Sequence, residues 1–416
     1  MRVHRQDLLE NFQKGEKQNI LIVAEAYYPL IGGATVVADN LAKEYAKTCN
    51  VAVVTGDCRY EDKAEYPVIR CTGIGQGSNG TLPLPALDGK FKRLMRKLPI
   101  DAVHIHSYFG LAKFAVRLAK KRGIPVVIHG HSQLYNEYIT IVHMKWLAKL
   151  LHKRAIRLFN RADEVLAVSE TLANIYRSTG CKTPVRVMRN ATEFTYLDHP
   201  AKIAAVREKY AVPEDKPVLL YLGRLAAECK NLDFLLDALA AAANAGTEYR
   251  MLFVGGGPDA ARLQNRAAEL GLSERTLFLG DVADREEREA LYQMSDLFLF
   301  PSVRDSSPLV KHEAASQGTP MLCISGTSVS EDVKDGENGF TAENSVVAYA
   351  KRIGEILSDK ETLRRVGENA RETLGVSWEV PAKQCLHLFG RLAAQPPRQS
   401  ESVWKKLRSA KKQPSK

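Results

Sequence analysis

No stretch of this 416-residue sequence is apolar for long enough to cross a bilayer. The N-terminal residues, MRVHRQDLLENFQKGEKQ, have no apolar core, so they do not read as a secretory signal. Cysteine is sparse and scattered. The seven residues (Cys49, Cys58, Cys71, Cys181, Cys229, Cys323, Cys385) are odd in number and form no C-x-x-C pair. That argues against a disulfide framework or a cysteine zinc site and for reduced thiols in a cytoplasm. No G-x-G-x-x-G follows a strand and opens a helix: Gly73, Gly75 and Gly77 alternate in a polar loop with no clear helix after it. The absence weakens a dinucleotide-binding, hydride-transfer reading.

What is present is a soluble globular composition, 45% hydrophobic and 26% charged, in a chain too long for one core, so two or three domains are expected. A net charge of +11 calls for an anionic partner: membrane lipid, nucleic acid or a nucleotide-linked substrate. No nucleic-acid recognition motif accompanies the charge, so nucleic acid is the weakest of the three.

Asn19–Glu25 reads as a buried parallel strand. Tyr27-Tyr28-Pro29 and Ile31-Gly32-Gly33-Ala34 follow, then a helix over about Thr35–Lys47 and a strand over Val51–Thr55. This is half of a nucleotide-binding βαβ unit, in which Gly32 and Gly33 let the backbone approach a phosphate at the helix start. The plainer alternative is a turn that only connects two elements. Further strands are expected at 102–105, 126–129, 165–168 and 185–188, with helices at 111–122, 141–161 and 170–178. Periodicity weakens over 191–216, where a linker is expected. The second half repeats the pattern, with strands at 217–222, 250–254, 277–279, 296–300 and 321–323. Its helices are expected at 231–243, 346–357 and 360–374, and Ser377-Trp378 opens a last one. Such alternation implies parallel sheets with helices on both faces.

The organising stretch is DLFLFPSVRDSSPLVKHEAASQGTP, Asp296 to Pro320. A short apolar strand is stopped by Pro301, a polar loop carries Asp305, and Ser306-Ser307-Pro308 starts a helix holding Glu313 and ending at Gly318. The free N–H groups of the first turn can receive a phosphate or ribose oxygen. Two acidic residues eight apart in this setting resemble the E-x7-E signature of glycosyltransferase family 4, retaining enzymes of the GT-B fold. Asp305 departs from the pattern, which has Glu there.

The remaining motifs follow the same resemblance. Tyr27-Tyr28-Pro29 before Gly32-Gly33 is similar to the family's N-terminal motif. Gly223-Arg224-Leu225 with Glu228-Cys229-Lys230-Asn231 resembles its G-R-L…E-K-N segment, with one extra residue between Arg224 and Lys230. Positive charge there would stabilise a departing diphosphate; the plain alternative is a solvated Arg and Lys. Val254-Gly255-Gly256-Gly257-Pro258 resembles the family's glycine loop near the nucleotide. Four histidines, His104, His106, His129 and His131, cluster at two strand ends, where α/β sheets bind ligands. His131-Ser132 resembles the family position that contacts the donor sugar, and His106 and Tyr108 are expected on the acceptor side. A metal reading of the histidines is open, but no D-x-D occurs, so no metal and no cofactor are expected. HSQLYNEY, His131 to Tyr138, is similar to transferases that build diacylglycerol glycolipids.

The resemblance implies an α/β, GT-B architecture: two Rossmann-like domains with parallel sheets facing across a cleft. Residues 1–198 are expected to form the acceptor side and 199–375 the nucleotide-sugar side. Residues 376–395 form a helix returning to the first domain, and 396–416 a basic disordered tail. The implied enzyme is a hexosyltransferase moving a hexose from a nucleotide sugar, UDP-linked, to a membrane lipid or glycolipid. Catalytic roles fall to Asp305, Glu313, Arg224, Lys230 and His131. Donor binding falls to Gly32, Gly33, Arg224, Lys230, Gly256, Pro308, Leu309, Val310 and Glu313. Basic residues at Lys90–Leu98, and at every fourth position from Lys145 to Arg161 beside Trp146, suit an anionic membrane surface. The expected location is therefore cytoplasmic and peripheral, on the inner face of the membrane. A solvated outer helix is the alternative for both segments. A soluble or polysaccharide acceptor, a nucleotide-sugar epimerase and a non-catalytic sugar-nucleotide-binding protein remain as other functions.

Overall fold

The strand sequences are short apolar runs, and a run buried on both faces belongs in the middle of a parallel sheet. Residues 20–23 are the clearest case, each no more than 1% exposed. The computed structural model describes residues 1–30, 32–58, 60–75 and 81–395. Ile31, Gly77 and the expected tail at 396–416 lie outside the described residues.

The first half builds ten strands: β1 (Arg2–His4), β2 (Asn19–Val23), β3 (Asn50–Gly56), β4 (Val68–Cys71), β5 (Gly73–Ile74), β6 (Leu82–Pro83), β7 (Ala102–Ile105), β8 (Val126–Gly130), β9 (Glu164–Ala167) and β10 (Val185–Val187). Eight of them form one sheet in the order β1-β4-β3-β2-β7-β8-β9-β10, while β5 and β6 pair as a separate ribbon. Among the described residues only β1 runs antiparallel to its neighbour in the large sheet. The second half builds β11 (Val218–Leu222), β12 (Arg250–Val254), β13 (Thr276–Gly280), β14 (Leu297–Phe300), β15 (Met321–Ile324) and β16 (Phe340–Ala342). These form a six-stranded parallel sheet ordered β13-β12-β11-β14-β15-β16. The strand order reverses between β2 and β7 in one sheet and between β11 and β14 in the other, and ligands bind beyond the strand ends at such points.

Three expectations change. The helix expected over 141–161 is two helices, Leu134–Val142 and Lys145–Phe159. The break falls at His143, whose φ of 53° is left-handed, after a β-branched run of low helix propensity. The linker region contains a helix, Pro200–Lys209, docked on helix Arg285–Gln293 through Lys209 Nζ and Tyr210 Oη, each 2.6 Å from Glu287. It has one buried residue, Val206, which explains its weak periodicity. Strands β1, β4, β5, β6 and β16 were not expected; they are short, and β4 carries Arg70 in its middle.

The last helix, Glu379–Ala393, packs on the first sheet: Trp378, Ala382, Cys385, Leu388 and Phe389 bury against Ile20, Leu41 and Tyr45. The two halves also touch near the cleft. Glu331 accepts the backbone N–H groups of Glu170 and Thr171, at 2.5 and 2.8 Å, capping helix Glu170–Ser178 from the other half. Asn190 Nδ2 donates to the Ser307 carbonyl at 2.8 Å.

Arg70 is 1% exposed. Its guanidinium bonds both Asp62 oxygens and the carbonyls of Gly56 (2.9 Å) and Tyr28 (2.6 Å), fixing the loop after β2. Removing one partner of a buried pair leaves the other charge stranded. Arg70→Ala should therefore destabilise the chain by about 3–5 kcal/mol, read as a lower urea midpoint. A loss under about 1 kcal/mol, the range of an exposed pair, would show that the clamp is dispensable.

Candidate active site

Each half contributes an uncapped helix start to one cleft of about 690 Å³. In the first half, β2 runs out through Glu25 into a loop and then helix Gly33–Ala46. Gly32 precedes the helix in extended backbone, and no side chain caps it. The loop is held from behind: Tyr27 Oη donates to Asp39 at 2.6 Å, Tyr66 Oη donates to the same oxygen, and Asp39 also pairs with Lys43 at 2.9 Å. In the second half, helix Leu309–Ser316 starts after Pro308, again without a side-chain cap. The first-turn N–H groups of both helices, and the positive ends of their dipoles, are available to an anion.

Arg224 and Lys230 lie on the same cleft. Arg224 is exposed and has no ion-pair partner among the described residues. Lys230 Nζ meets both Asp305 oxygens, at 2.7 and 2.9 Å, and lies 5.5 Å from the Phe300 ring centre. Ser302 Oγ donates to Asp305 as well, at 2.5 Å.

The glycines at 255–257 stand behind this loop. A Cβ at Gly255 would come 2.1 Å from the Gly223 carbonyl oxygen, and one at Gly257 would come 2.3 Å from that of Leu225. Leu225 N–H donates to the Gly256 carbonyl at 2.8 Å. Glycine is thus required for close backbone packing, and Gly256 is not among the residues lining the cleft.

On the other wall, His131 Nε2 and His106 Nδ1 are 2.9 Å apart. Burial pushes His131 down to about 3, so it is neutral near pH 7. Tyr108 is nearly buried, and its hydroxyl accepts the His131 N–H at 3.1 Å.

Two family models match the chain, "Glycosyltransferase Family 4" over residues 31–194 and "Glycosyl transferases group 1" over residues 202–373. The chain is a glycosyltransferase, with a family 4 first half and a group 1 second half. Among curated relatives, this transferase is 27% identical to the alpha-monoglucosyldiacylglycerol synthase of Acholeplasma laidlawii, over 88% of this chain and 96% of the relative. It is 26% identical to a Mycobacterium tuberculosis GDP-mannose-dependent alpha-(1-6)-phosphatidylinositol dimannoside mannosyltransferase, over 90% and 96%. Sucrose-phosphate synthase from Thermosynechococcus elongatus shares the fold with a TM-score of 0.73 and 21% identity, over 91% of this chain and all of that one. Anabaena Alr3699/HepE, solved with UDP and glucose, gives 0.71 and 22%, over 89% and 99%. The GT-B expectation, two parallel-sheet Rossmann-like units, is the fold of the transferase.

The cleft of the transferase gathers Gly32, Gly33, His106, Tyr108, His131, Arg224, Lys230, Asp305, Pro308, Leu309 and Val310. Glu313 is set back from it: Tyr292 Oη donates to its carboxylate at 3.0 Å, and burial raises its pKa. Sequence reasoning missed Glu25, Glu137 and Asn190, which also line the cleft. Glu25 carried a signal, as the residue that leaves the first strand at the switch point. Asn190 carried none.

Glu25 accepts the N–H groups of Phe109 (2.8 Å) and Leu111 (2.5 Å) at the start of helix Gly110–Arg122. Burial outweighs these bonds and pushes its carboxyl up to about 7 from an ordinary 4.5. A carboxyl raised on folding contributes stability that is complete below about 4.5 and lost as pH rises through about 7. Wild type should therefore lose stability between about pH 4.5 and 7 relative to Glu25→Gln, in paired urea titrations. Parallel pH profiles would show that Glu25 titrates normally.

Proposed function

We propose that the transferase moves a hexose from a UDP-linked sugar to a membrane lipid or glycolipid, with retention of anomeric configuration. The carrying observation is the pair of uncapped helix starts with the unpaired Arg224 on the same cleft: three sources of positive potential, and no carboxylate answering Arg224 among the described residues. A diphosphate matches that field in charge.

In this reading the donor diphosphate lies between Gly32-Gly33 and the Pro308–Val310 turn. Pro308 has no N–H, so Leu309 and Val310 supply the donors. Arg224 neutralises charge that develops on the leaving phosphate, and Lys230 adds to it from its seat on Asp305. Glu313 holds the ribose with the carboxylate oxygen that Tyr292 leaves free. His131, neutral and hydrogen-bonded to His106, donates to or accepts from a sugar hydroxyl. No cleft carboxylate is assigned as covalent nucleophile; the acceptor attacks from the leaving-group face and its proton passes to the departing phosphate. The chemistry is assigned to these side chains without a metal.

The decisive assay measures released nucleotide from a panel of UDP- and GDP-sugars, with and without diacylglycerol or glycolipid. UDP release dependent on lipid supports the proposal. Release with soluble saccharide alone, or sugar isomerisation with no acceptor, replaces it. Arg224→Ala should lower turnover by about two to three orders of magnitude, as when one preorganised donor is lost. Turnover within a few-fold of wild type would remove Arg224 from this role.

Lipid as acceptor is supported by the outer face of the first half. No helix among the described residues is long and apolar enough to cross a membrane. On helix Gly89–Lys97 the apolar side is spent inside, with Phe91 and Met95 buried, while Lys90, Arg93, Arg96 and Lys97 are exposed. The exposed apolar neighbours are Ile74, Leu82 and Leu87, at 60–79%. Where the helices at 134–142 and 145–159 meet, Ile141 on the first and Trp146 on the second are 68% and 67% exposed, and Lys145 and Lys149 are exposed too. Each basic residue near an anionic surface contributes about 1 kcal/mol. The protein should float with anionic vesicles at low salt and detach at high salt. Charge reversal at Arg93, Arg96 and Lys97 together with Trp146→Ala should release it. Indifference of wild type to anionic vesicles would favour a soluble acceptor.

A further inference from the structure

We propose that His104, His106 and His129 form a site for one d-block divalent cation, best suited to Zn²⁺, beneath the floor of the cleft. The inference does not rest on the donor or acceptor assigned above. Alternation along β7 puts His104 and His106 on one face of the sheet, and His129 leaves the adjacent parallel strand β8 beside them. The three side chains are 0%, 5% and 0% exposed. One nitrogen of each lies within 4.8 Å of the corresponding nitrogen of the other two. Tetrahedral zinc with Zn–N bonds of about 2.0–2.1 Å would draw these nitrogens closer by rotation of the rings.

The outer hydrogen bonds make the case. Tyr45 Oη lies 3.2 Å from His104 Nδ1, and His131 Nε2 lies 2.9 Å from His106 Nδ1. Each bond occupies the outward nitrogen, the arrangement in which a metal-ligating histidine donates its other N–H to a fixed partner. The inward nitrogens, His104 Nε2 and His106 Nε2, have no protein partner, and neither nitrogen of His129 has one. Buried unsatisfied polar groups are costly, and these belong to the three histidines that each offer one nitrogen to the cluster. Three neutral imidazoles with no carboxylate among them suit zinc, copper or nickel and not calcium or magnesium. Burial also lowers the pKa of all three, leaving their lone pairs free at neutral pH. His104 and His129 are shut off from solvent, so the cation would brace the segments after β7 and β8 and not meet substrate.

The test uses full-length protein without a histidine tag, stripped by chelator and titrated with Co²⁺. One equivalent should give the visible d–d absorption of a four-coordinate site, displaced by Zn²⁺, and Zn²⁺ should raise the melting temperature. His129→Gln and His104→Gln, shown to be folded by circular dichroism, should lose the absorption; His387→Ala, at an exposed histidine, should keep it. If the variants fail to fold, X-ray absorption of the zinc-loaded wild type decides, since the site requires three imidazoles. Absence of both absorption and melting shift overturns the proposal in favour of a buried water. Absorption unchanged in both variants, or fewer than three imidazoles, places the cation elsewhere and overturns it too.

Discussion

Everything in the cleft depends on backbone amides that have nowhere else to go. The first turn of a helix carries N–H groups without intrahelical acceptors, which a side chain, water or a ligand must meet; a capping side chain can do this. Here Asp88, Ser169, Asp284 and Asp359 do so for four other helices. The two helices that open on the cleft have glycine and proline at the cap instead. Keeping those amides uncapped requires loops that do not collapse onto them, which gives the buried Arg70 and Asp39 networks their purpose.

Two departures from the family pattern meet in one ion pair. Asp305 is one methylene shorter than the usual Glu, and Lys230 sits one residue later than usual after Arg224. The extra residue is taken up by a single helical turn, Ala227–Lys230, ended by Asn231 in a left-handed conformation. That turn delivers Lys230 to Asp305. The shortened carboxylate is thereby committed to positioning a cation, and Arg224 is the unpaired charge of the two.

Most strands of both sheets could be read from the sequence because a parallel sheet buries both faces of a strand, and a run such as Asn19–Val23 has no other use. The elements that escaped carry a weak pattern: helix Pro200–Lys209 buries Val206 alone, and β4 is four buried residues interrupted by a charge whose partner lies eight positions earlier. At the site, residues on glycine turns and strand ends were legible because the backbone explains them. The backing role of Gly255–Gly257 was not, since nothing in a glycine triplet says which loop it leans on. Nor was the bond that ties Glu313 to Tyr292, a side chain twenty-one residues away.

The cap that Glu331 places on helix Glu170–Ser178 joins the two halves through amides that would otherwise be free. Moving the halves apart strips those two amides of their acceptor, so the separation of the sheets is written into hydrogen exchange at Glu170 and Thr171. Those two amides are a native gauge of cleft opening, readable without a label and without substrate.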